Sequence, residues 1–309
     1  VDLGAGTGTG GDAQGDTLTG IERVMGSDHN DVLTGDGADN MLIGLGGQDI
    51  LLGLDGNDRL VGGDGWDSLY GGADRDILIG GEGDDYMDAS FGDDKLIGGA
   101  GGDEMYGRSG IDTVLYTGSS AGVTLDLGAG TASGGDATGD TLSEIENAQG
   151  SDFDDDITGD GGANRLIGRD GADTLSGLGG DDFLRGDAGD DTLDGGAGRD
   201  RIFGNDGADV MTGGSDGDTF VFREGDTGLG AAADRITDYV VGTDRIILRS
   251  IDADTTTGGD QAFTFGGTLT LSQSGGDTII ALDTDGDTVA DAEIHLTGLL
   301  TLTERDFVL

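Results

Sequence analysis

"GLGGQDILLGLDGNDRLVGGDGWDSLYGGADRDILIG", residues 44–80, sets one large apolar side chain every nine residues among glycine and acid. Counting outward in nines gives ten unbroken nonapeptides over 26–115 and eight more over 150–221. In the form G-G-x-G-x-D-x-U-x, with U large and apolar, the eighth position is apolar in all eighteen repeats. Those residues are Leu33, Leu42, Leu51, Leu60, Leu69, Leu78, Met87, Leu96, Met105 and Val114, then Ile157, Leu166, Leu175, Leu184, Leu193, Ile202, Met211 and Phe220. The sixth position is Asp in sixteen of the eighteen, with Asn40 and Asn164 as the exceptions. A fixed short period of this kind marks a solenoid, because one repeat cannot bury its apolar residue alone and must stack on its neighbours. The segment x-U-x reads as a short strand with its central side chain inward, and the other six residues as a glycine-rich turn. Two nonapeptides then form one coil of a parallel β-roll, and the fold class is all-β.

Composition sharpens this reading. The 309 residues include 68 glycines, and 63 acidic against 15 basic side chains leave a formal charge of −48. Such a chain would ordinarily be disordered, but a disordered acidic chain has no reason to hold a nine-residue register. The charge argues against nucleic acid and anionic membrane as partners and favours small cations. Cysteine is absent, so disulfides cannot hold the coils together; proline is absent too, which suits a backbone whose N–H groups are used repetitively. No stretch has the length of apolar sequence a membrane helix needs, so membrane insertion is not expected.

Glycine-rich turns let backbone carbonyls converge, and converging oxygens beside an aspartate call for a hard cation. Calcium accepts six to eight oxygens in flexible geometry, whereas magnesium demands a tighter octahedron and zinc prefers His or Cys, of which there are two and none. The nonapeptides resemble the RTX (repeats-in-toxin) family of secreted calcium-binding proteins. That resemblance implies that backbone carbonyls of two turns on one edge, with the sixth-position carboxylate, hold one calcium between them. Carried onto this chain, the carboxylates are Asp49, Asp58, Asp67, Asp76, Asp85, Asp94, Asp103 and Asp112, then Asp173, Asp182, Asp191, Asp200, Asp209 and Asp218. The turn glycines carried over with them are Gly44, Gly53, Gly62, Gly80, Gly98, Gly177, Gly186 and Gly195 at the first position; Gly63, Gly81, Gly99 and Gly196 at the second; and Gly47, Gly56, Gly65, Gly83, Gly101, Gly180, Gly189 and Gly198 at the fourth. The fourth-position glycine is replaced by His29, Ala38, Asp74, Phe153 and Asp216, which weakens those turns, and the first turns of each block are expected to act as caps. Sites on both edges number on the order of a dozen, enough to offset about half of the net charge, so folding is expected to be coupled to calcium.

A longer repeat surrounds the nonapeptides. "DLGAGTGTGGDAQGDTLTGIERVMGSD" at 2–28 returns as "DLGAGTASGGDATGDTLSEIENAQGSD" at 126–152. The expected organisation is a spacer strand or cap over 1–25, a first roll over 26–115, a second spacer over 116–149, a second roll over 150–221 and a C-terminal β region over 222–309. The second copy of the repeat is preceded by "YTGSSAGVT" at 116–124, so the natural protein is expected to extend upstream of Val1. Alternation at Val123, Leu125 and Leu127 suggests a strand covering the open end of the preceding roll.

From Phe222 to Leu309 the nine-residue beat stops, and "DTFVF" at 218–222, "DRITDY" and "GTDRIILRSIDA" read as strands and turns. This part resembles the C-terminal region of serralysin-type metalloproteases, and the ending "RDFVL" resembles the tail of proteins exported by type I secretion. The resemblance implies a secreted protein, extracellular and in contact with the cell surface or matrix or with other copies of itself, with the secretion machinery as a partner. In "DTDGDTVADAE", 283–293, Asp283, Asp285 and Asp287 occupy the first, third and fifth places of an EF-hand loop, but Thr288 stands where the glycine belongs, so a hairpin turn is favoured over a further calcium site. His29 and His295 lack the H-E-x-x-H pattern of a catalytic zinc, Lys95 lacks a phosphate-loop context, and Trp66 reads as a surface group. Three functions stay open: a non-catalytic calcium module, the C-terminal part of a secreted metalloprotease or other hydrolase, and an adhesin, surface-layer or extracellular structural protein. No catalytic residue is assigned within the chain.

Overall fold

A computed structural model describes residues 1–223, 225–251, 267–285, 287 and 289–309, and in it each nonapeptide forms one strand and one turn. Alternate nonapeptides enter opposite sheets, because each turn reverses the chain by half a coil. The chain divides into two compact units, Val1–Ser151 and Asp152–Leu309.

In the first unit one sheet runs through Arg23–Met25, Met41–Gly47, Arg59–Gly65, Ile77–Glu82, Lys95–Ala100, Thr113–Leu115 and Asn147–Gln149. The facing sheet runs through Val32–Thr34, Ile50–Asp55, Ser68–Ala73, Tyr86–Phe91, Glu104–Tyr106 and Thr141–Ser143. Within the rolls pairing is parallel at a register of 18 residues, as in Leu42 opposite Leu60 and Leu60 opposite Leu78. All eighteen eighth-position side chains are 1% exposed or less, so they form two facing apolar files per unit with nothing thicker behind them.

Several strands run longer than x-U-x. Met41–Gly47 and Arg59–Gly65 continue through the turn, where Leu45 pairs with Gly63 and Gly47 with Gly65. Successive turns are copies stacked in register, so their backbones hydrogen-bond coil to coil just as strands do. The stacking has a conformational cost at the second position, where Leu45 and Leu54 both hold φ near 87° despite their side chains. The spacer forms an antiparallel hairpin, Thr124–Asp126 against Thr131–Ser133, with Val123 and Leu125 buried.

In the second unit the nine-residue beat ends at Val221 but the roll does not. Thr219–Arg223 pairs in parallel with Arg245–Ser250, which pairs with Phe307–Val308. On the other side Val210–Ser215 pairs with Asp234–Ile236, and that with Ala292–Thr297. Longer loops carry the chain between these late coils, which is why a strict nine-residue search loses them. Two antiparallel strands, Asp277–Leu282 and Leu269–Ser274, complete that sheet. Asp277–Leu282 and Ala292–Thr297 are the flanks of the EF-hand-like stretch, which is thus a hairpin connection; Thr288 lies outside the described residues.

Candidate metal centre

Each sixth-position aspartate sits immediately before a strand, with its carboxylate turned under the turn and away from water. Asp49, Asp58, Asp67, Asp76, Asp85, Asp94, Asp103 and Asp112 are 2% exposed or less, as are Asp173, Asp182, Asp191, Asp200, Asp209 and Asp218. One carboxylate oxygen has a fixed backbone partner. The N–H of Asp49 donates to Oδ1 of Asp67 at 2.8 Å, that of Asp67 to Asp85 at 2.7 Å, and that of Asp85 to Asp103 at 2.8 Å. On the opposite edge Asp58 donates to Asp76 at 2.8 Å, Asp76 to Asp94 at 2.7 Å and Asp94 to Asp112 at 2.8 Å. The second unit repeats the ladders as Asp173 to Asp191 to Asp209 and Asp182 to Asp200 to Asp218.

The other oxygen, Oδ2, is buried and has no hydrogen-bond partner in any of these fourteen residues. It does not face empty space. A Cβ built on Gly44 would meet Asp49 Oδ2 at 2.1 Å and the carbonyl oxygen of Gly62 at 2.6 Å. On Gly80 it would meet Asp85 Oδ2 at 2.3 Å and the Gly98 carbonyl at 2.6 Å, and on Gly177, Asp182 Oδ2 at 2.2 Å and the Gly195 carbonyl at 2.6 Å. A carboxylate of one turn and a carbonyl of the next coil therefore converge at these turns on a small volume that the first-position glycine leaves open; ahead of Asp94 that position is Ala89, and Asp94 Oδ2 is buried and unpaired all the same. Two buried acceptors facing each other without a donor repel, and a cation resolves the repulsion. The all-oxygen donor set fits calcium and gives zinc no purchase.

The other turn glycines are constrained by backbone. A Cβ on Gly65 would lie 1.5 Å from the Gly47 carbonyl, and one on Gly63 2.0 Å from that of Leu45. Where the fourth position carries Asp74 or Asp216, the residue itself takes φ of 75° or 79°, and the following Asp76 and Asp218 keep their unpaired oxygens.

Burial pushes the carboxyl groups up, with the donated N–H pulling the other way and neighbouring carboxylates adding to the rise. Asp58 and Asp94 are raised to about 6, and Asp85, Asp103, Asp112, Asp173, Asp182, Asp209 and Asp218 to about 7. Asp76 and Asp191 reach about 8. These acids resist ionisation near neutrality unless positive charge is brought to them.

The first turns differ. Asp31 turns Oδ2 to the N–H of Ser27 at 2.7 Å, and Asn40 and Asn164 use Oδ1 for the N–H of Asp36 and Asp160, at 2.7 and 2.8 Å. The last rungs also differ, and the nonapeptide search did not reach them. Asp103 donates to Asp140, Asp112 to Glu146, Asp209 to Asp234 and Asp218 to Asp244. Asp140 spends its second oxygen on the buried Tyr116 hydroxyl at 2.8 Å, and Asp244 spends its own on the N–H of Val240 at 2.7 Å. Asp234 alone among them resembles an inner rung, with Oδ2 unpaired and its pKa pushed up to about 9 by burial. The signal that would have found it is acid-x-apolar without the preceding glycines, as in "DRI" at 234–236 and again at 244–246.

Other candidates lie elsewhere. Asp283, Asp285 and Asp287 have carboxylate oxygens within 4.8 Å of one another, two of them on exposed residues. His295 faces Glu293 at 3.2 Å on its strand, and His29 is an exposed turn residue.

No curated protein sequence matches the chain. Among solved structures it is similar to the AlgE6R3 subunit of the Azotobacter vinelandii mannuronan C5-epimerase, at 28% identity over 50% of this chain and 78% of that one, with a TM-score of 0.34. The AlgE6R2 subunit of that enzyme is 22% identical over 53% of this chain and 91% of that one, with a TM-score of 0.32. The extracellular lipase LipA of Serratia marcescens is 19% identical over 82% of this chain and 40% of that one, with a TM-score of 0.30. The sequence matches the RTX calcium-binding nonapeptide repeat (4 copies) at 16–51, 43–78, 79–114, 149–184 and 185–220. With more than half of its 309 residues inside those matches, the chain belongs to the RTX calcium-binding nonapeptide repeat family.

Proposed function

We propose that the chain is a secreted module that folds on meeting extracellular calcium, with ions held between stacked turns on both edges of each roll. The observation that carries this reading is the file of buried, unpaired Oδ2 atoms, opposed by a carbonyl of the next coil at Asp49, Asp58, Asp67, Asp76, Asp85, Asp182 and Asp191. When bound, calcium supplies the positive charge and the six to eight oxygen positions that such turns can fill. Asp49 to Asp112 and Asp173 to Asp218 offer the carboxylates, and the first-position glycines keep the volume clear. Asp234 extends the second unit's ladder by one rung, and Asp140 and Asp244 close theirs without an ion.

A local test uses the single tryptophan. Trp66 precedes Asp67, is 62% exposed, and its Cδ1 lies 3.2 Å from where a Cβ on Gly83 would stand. Terbium replacing calcium at the neighbouring turns should emit when indole is excited at its red edge, where tyrosine is silent. The emission should vanish in Trp66→Phe and be chased by excess calcium. Emission unchanged by that substitution would remove the turn beside Asp67 from the set of sites.

RTX repeat proteins are in general secreted, and a roll that is unfolded at low cytosolic calcium suits passage through a type I exporter. We assign that role to residues 222–309, on the likeness of "DRITDY" and "RDFVL" to the serralysin-type C-terminal region and to the tail of type I exported proteins, and treat 1–25, 26–115, 116–149 and 150–221 as spacer, roll, spacer and roll. A reporter fused ahead of Val1 and co-expressed with a type I exporter should reach the medium, and deletion of 305–309 should reduce it to background. Export indifferent to that deletion would sink the assignment. The protease reading and the structural reading both place further activity in upstream sequence, where an H-E-x-x-H domain or more rolls would separate them.

A further inference from the structure

The spacer segment occurs twice, at 2–28 and 124 residues later at 126–152, and the two copies fold alike. The N–H of Leu18 donates to the Gly6 carbonyl at 2.9 Å, as that of Leu142 donates to Gly130 at 3.1 Å. The N–H of Ala5 donates to Asp2 Oδ1 as that of Ala129 donates to Asp126 Oδ1, both at 2.7 Å. What differs is the face that meets a preceding coil. The second copy closes the first roll with it. Asp140 accepts the N–H of Asp103 at 2.9 Å, and Glu146 accepts that of Asp112 at 2.8 Å. In return the N–H groups of Thr141 and Asn147 donate to the carbonyls of Asp103 and Asp112 at 2.8 and 2.9 Å. The carbonyls of Ser143 and Gln149 accept the N–H groups of Gly107 and Tyr116 at 3.0 and 2.9 Å.

The first copy keeps the same groups, uncovered. Asp16, Thr17, Thr19 and Glu22 stand where Asp140, Thr141, Ser143 and Glu146 stand, and both acids are exposed. Among the described residues no hydrogen bond reaches the carboxylate of Asp16 or Glu22, the Thr17 N–H or the Thr19 carbonyl. Arg23–Met25 is the margin of its sheet, paired only with Met41–Gly47. Ile21 is 40% exposed and Met25 63%, whereas Ile145, the counterpart of Ile21, is 5% exposed. A repeat that ends a solenoid presents a polar outer face and protects its strand edge. This face instead shows apolar side chains beside an unpaired edge, together with the two acids that cap backbone N–H groups in the other copy.

We propose that residues 1–25 form a socket for the open end of another calcium-loaded nonapeptide roll, with Asp16 and Glu22 accepting the N–H groups of its last two sixth-position aspartates. The occupant is defined by what fits. It must present two aspartates nine residues apart, as Asp103 and Asp112 are, each offering its N–H and its carbonyl toward the socket. A lone strand supplies one such edge, and a helix spends these groups internally. A second copy of this chain offers no open coil, because its first roll is closed by its own spacer. Its second roll continues into Phe307–Val308 on one sheet and Ala292–Thr297 on the other. The occupant is therefore a further roll joined ahead of the socket as the first roll is joined to the second spacer, through a segment like 116–124. There the Tyr116 hydroxyl donates to Asp140 at 2.8 Å and the Asp136 N–H donates to Ser119 Oγ at 3.0 Å. The inference rests on the calcium-held roll proposed above and adds what such a roll stacks on.

The test joins a second copy of residues 26–124 ahead of Val1 in the full chain, so that Val1–Met25 follows a roll as 125–149 does. Hydrogen exchange in calcium is followed by mass spectrometry on peptides covering 13–25, with and without the added roll. The amides of Thr17 and Arg23, counterparts of Thr141 and Asn147, should slow at least about tenfold when the roll is present. Asp16→Ala with Glu22→Ala should leave exchange and the thermal midpoint of the unextended chain unchanged, since neither carboxylate has a partner there. In the extended chain the same pair should undo the protection and loosen the last coil of the added roll. Asp16→Asn with Glu22→Gln, which keeps an acceptor oxygen at both places, should retain most of it. Protection that fails to appear, or that survives the alanine changes, overturns the proposal. Calcium-dependent dimerisation of the unextended chain that the alanine changes abolish overturns it too, by making the occupant a second copy. Calcium uptake by the unextended chain, measured alongside, separates these results from a failure of the rolls to hold calcium at all.

Discussion

In chelator at about pH 8 the chain should lose most of its strand circular-dichroism signal, and acidifying the same metal-free sample toward about pH 4 should restore part of it. Both halves of this expectation come from the same atoms. Eighteen apolar side chains form the files inside the two rolls, too thin an interior to order so many glycine-rich residues alone. At neutral pH each inner rung adds a buried carboxylate oxygen with no donor, and at rungs such as Asp49, Asp85 and Asp182 that oxygen faces a carbonyl of the next coil. The folded-state pKa values lie above the ordinary value of 3.8, at about 6 for Asp58, about 7 for Asp85 and about 8 for Asp76 and Asp191. A raised pKa means that the metal-free fold takes up protons. Its stability is fully present below about 4 and is lost as pH rises through 6 to 8. Protons and calcium therefore compete for the same oxygens, and calcium affinity should weaken as pH falls through that window. Spectra already native in chelator at about pH 8 would refute the coupling, and a metal-free chain that stays unfolded at about pH 4 would show that proton uptake is not what the buried carboxylates favour.

The period of nine carried most of the fold. Once Leu42, Leu51 and Leu60 are seen to recur against a fixed Asp, the inward file, the parallel pairing and the all-β class follow, because no other arrangement buries one residue in nine. What the period could not convey is where the roll ends. Asp140, Glu146, Asp234 and Asp244 act as rungs without belonging to a nonapeptide, since a rung needs only an acid before a strand and tolerates a loop of any length ahead of it. Nor could it convey which oxygen of each carboxylate is spent. That depends on the N–H of the residue 18 positions earlier, a partner visible only when the coils are stacked.

Replacing Asp85 should separate the two jobs of a rung. Its Oδ1 accepts the N–H of Asp67 at 2.7 Å, and its Oδ2 is the buried unpaired oxygen opposite the Gly98 carbonyl. Asp85→Asn keeps the first and puts an amide in place of the second. In calcium both Asp85→Asn and Asp85→Ala should destabilise the first unit by at least about 2 to 3 kcal/mol, through the lost ion. Asp64→Asn removes the same charge from an exposed turn position and should stay within about 0.5 kcal/mol of wild type. In chelator at about pH 4 the ranking should change, because asparagine has the shape of a protonated aspartate. Asp85→Asn should then match wild type, while Asp85→Ala should remain about 1 to 3 kcal/mol less stable, having left the Asp67 N–H buried without an acceptor. If Asp85→Asn in calcium proves as harmless as Asp64→Asn, the inner oxygen does not hold the ion. If it is as damaging as alanine in acid, the carboxylate's part in the ladder is more than one hydrogen bond and one ligand. Since Oδ1 fastens each coil to the coil before it and Oδ2 faces the coil after, loss at one rung should spread to both neighbours, and calcium binding to wild type should be cooperative along each edge.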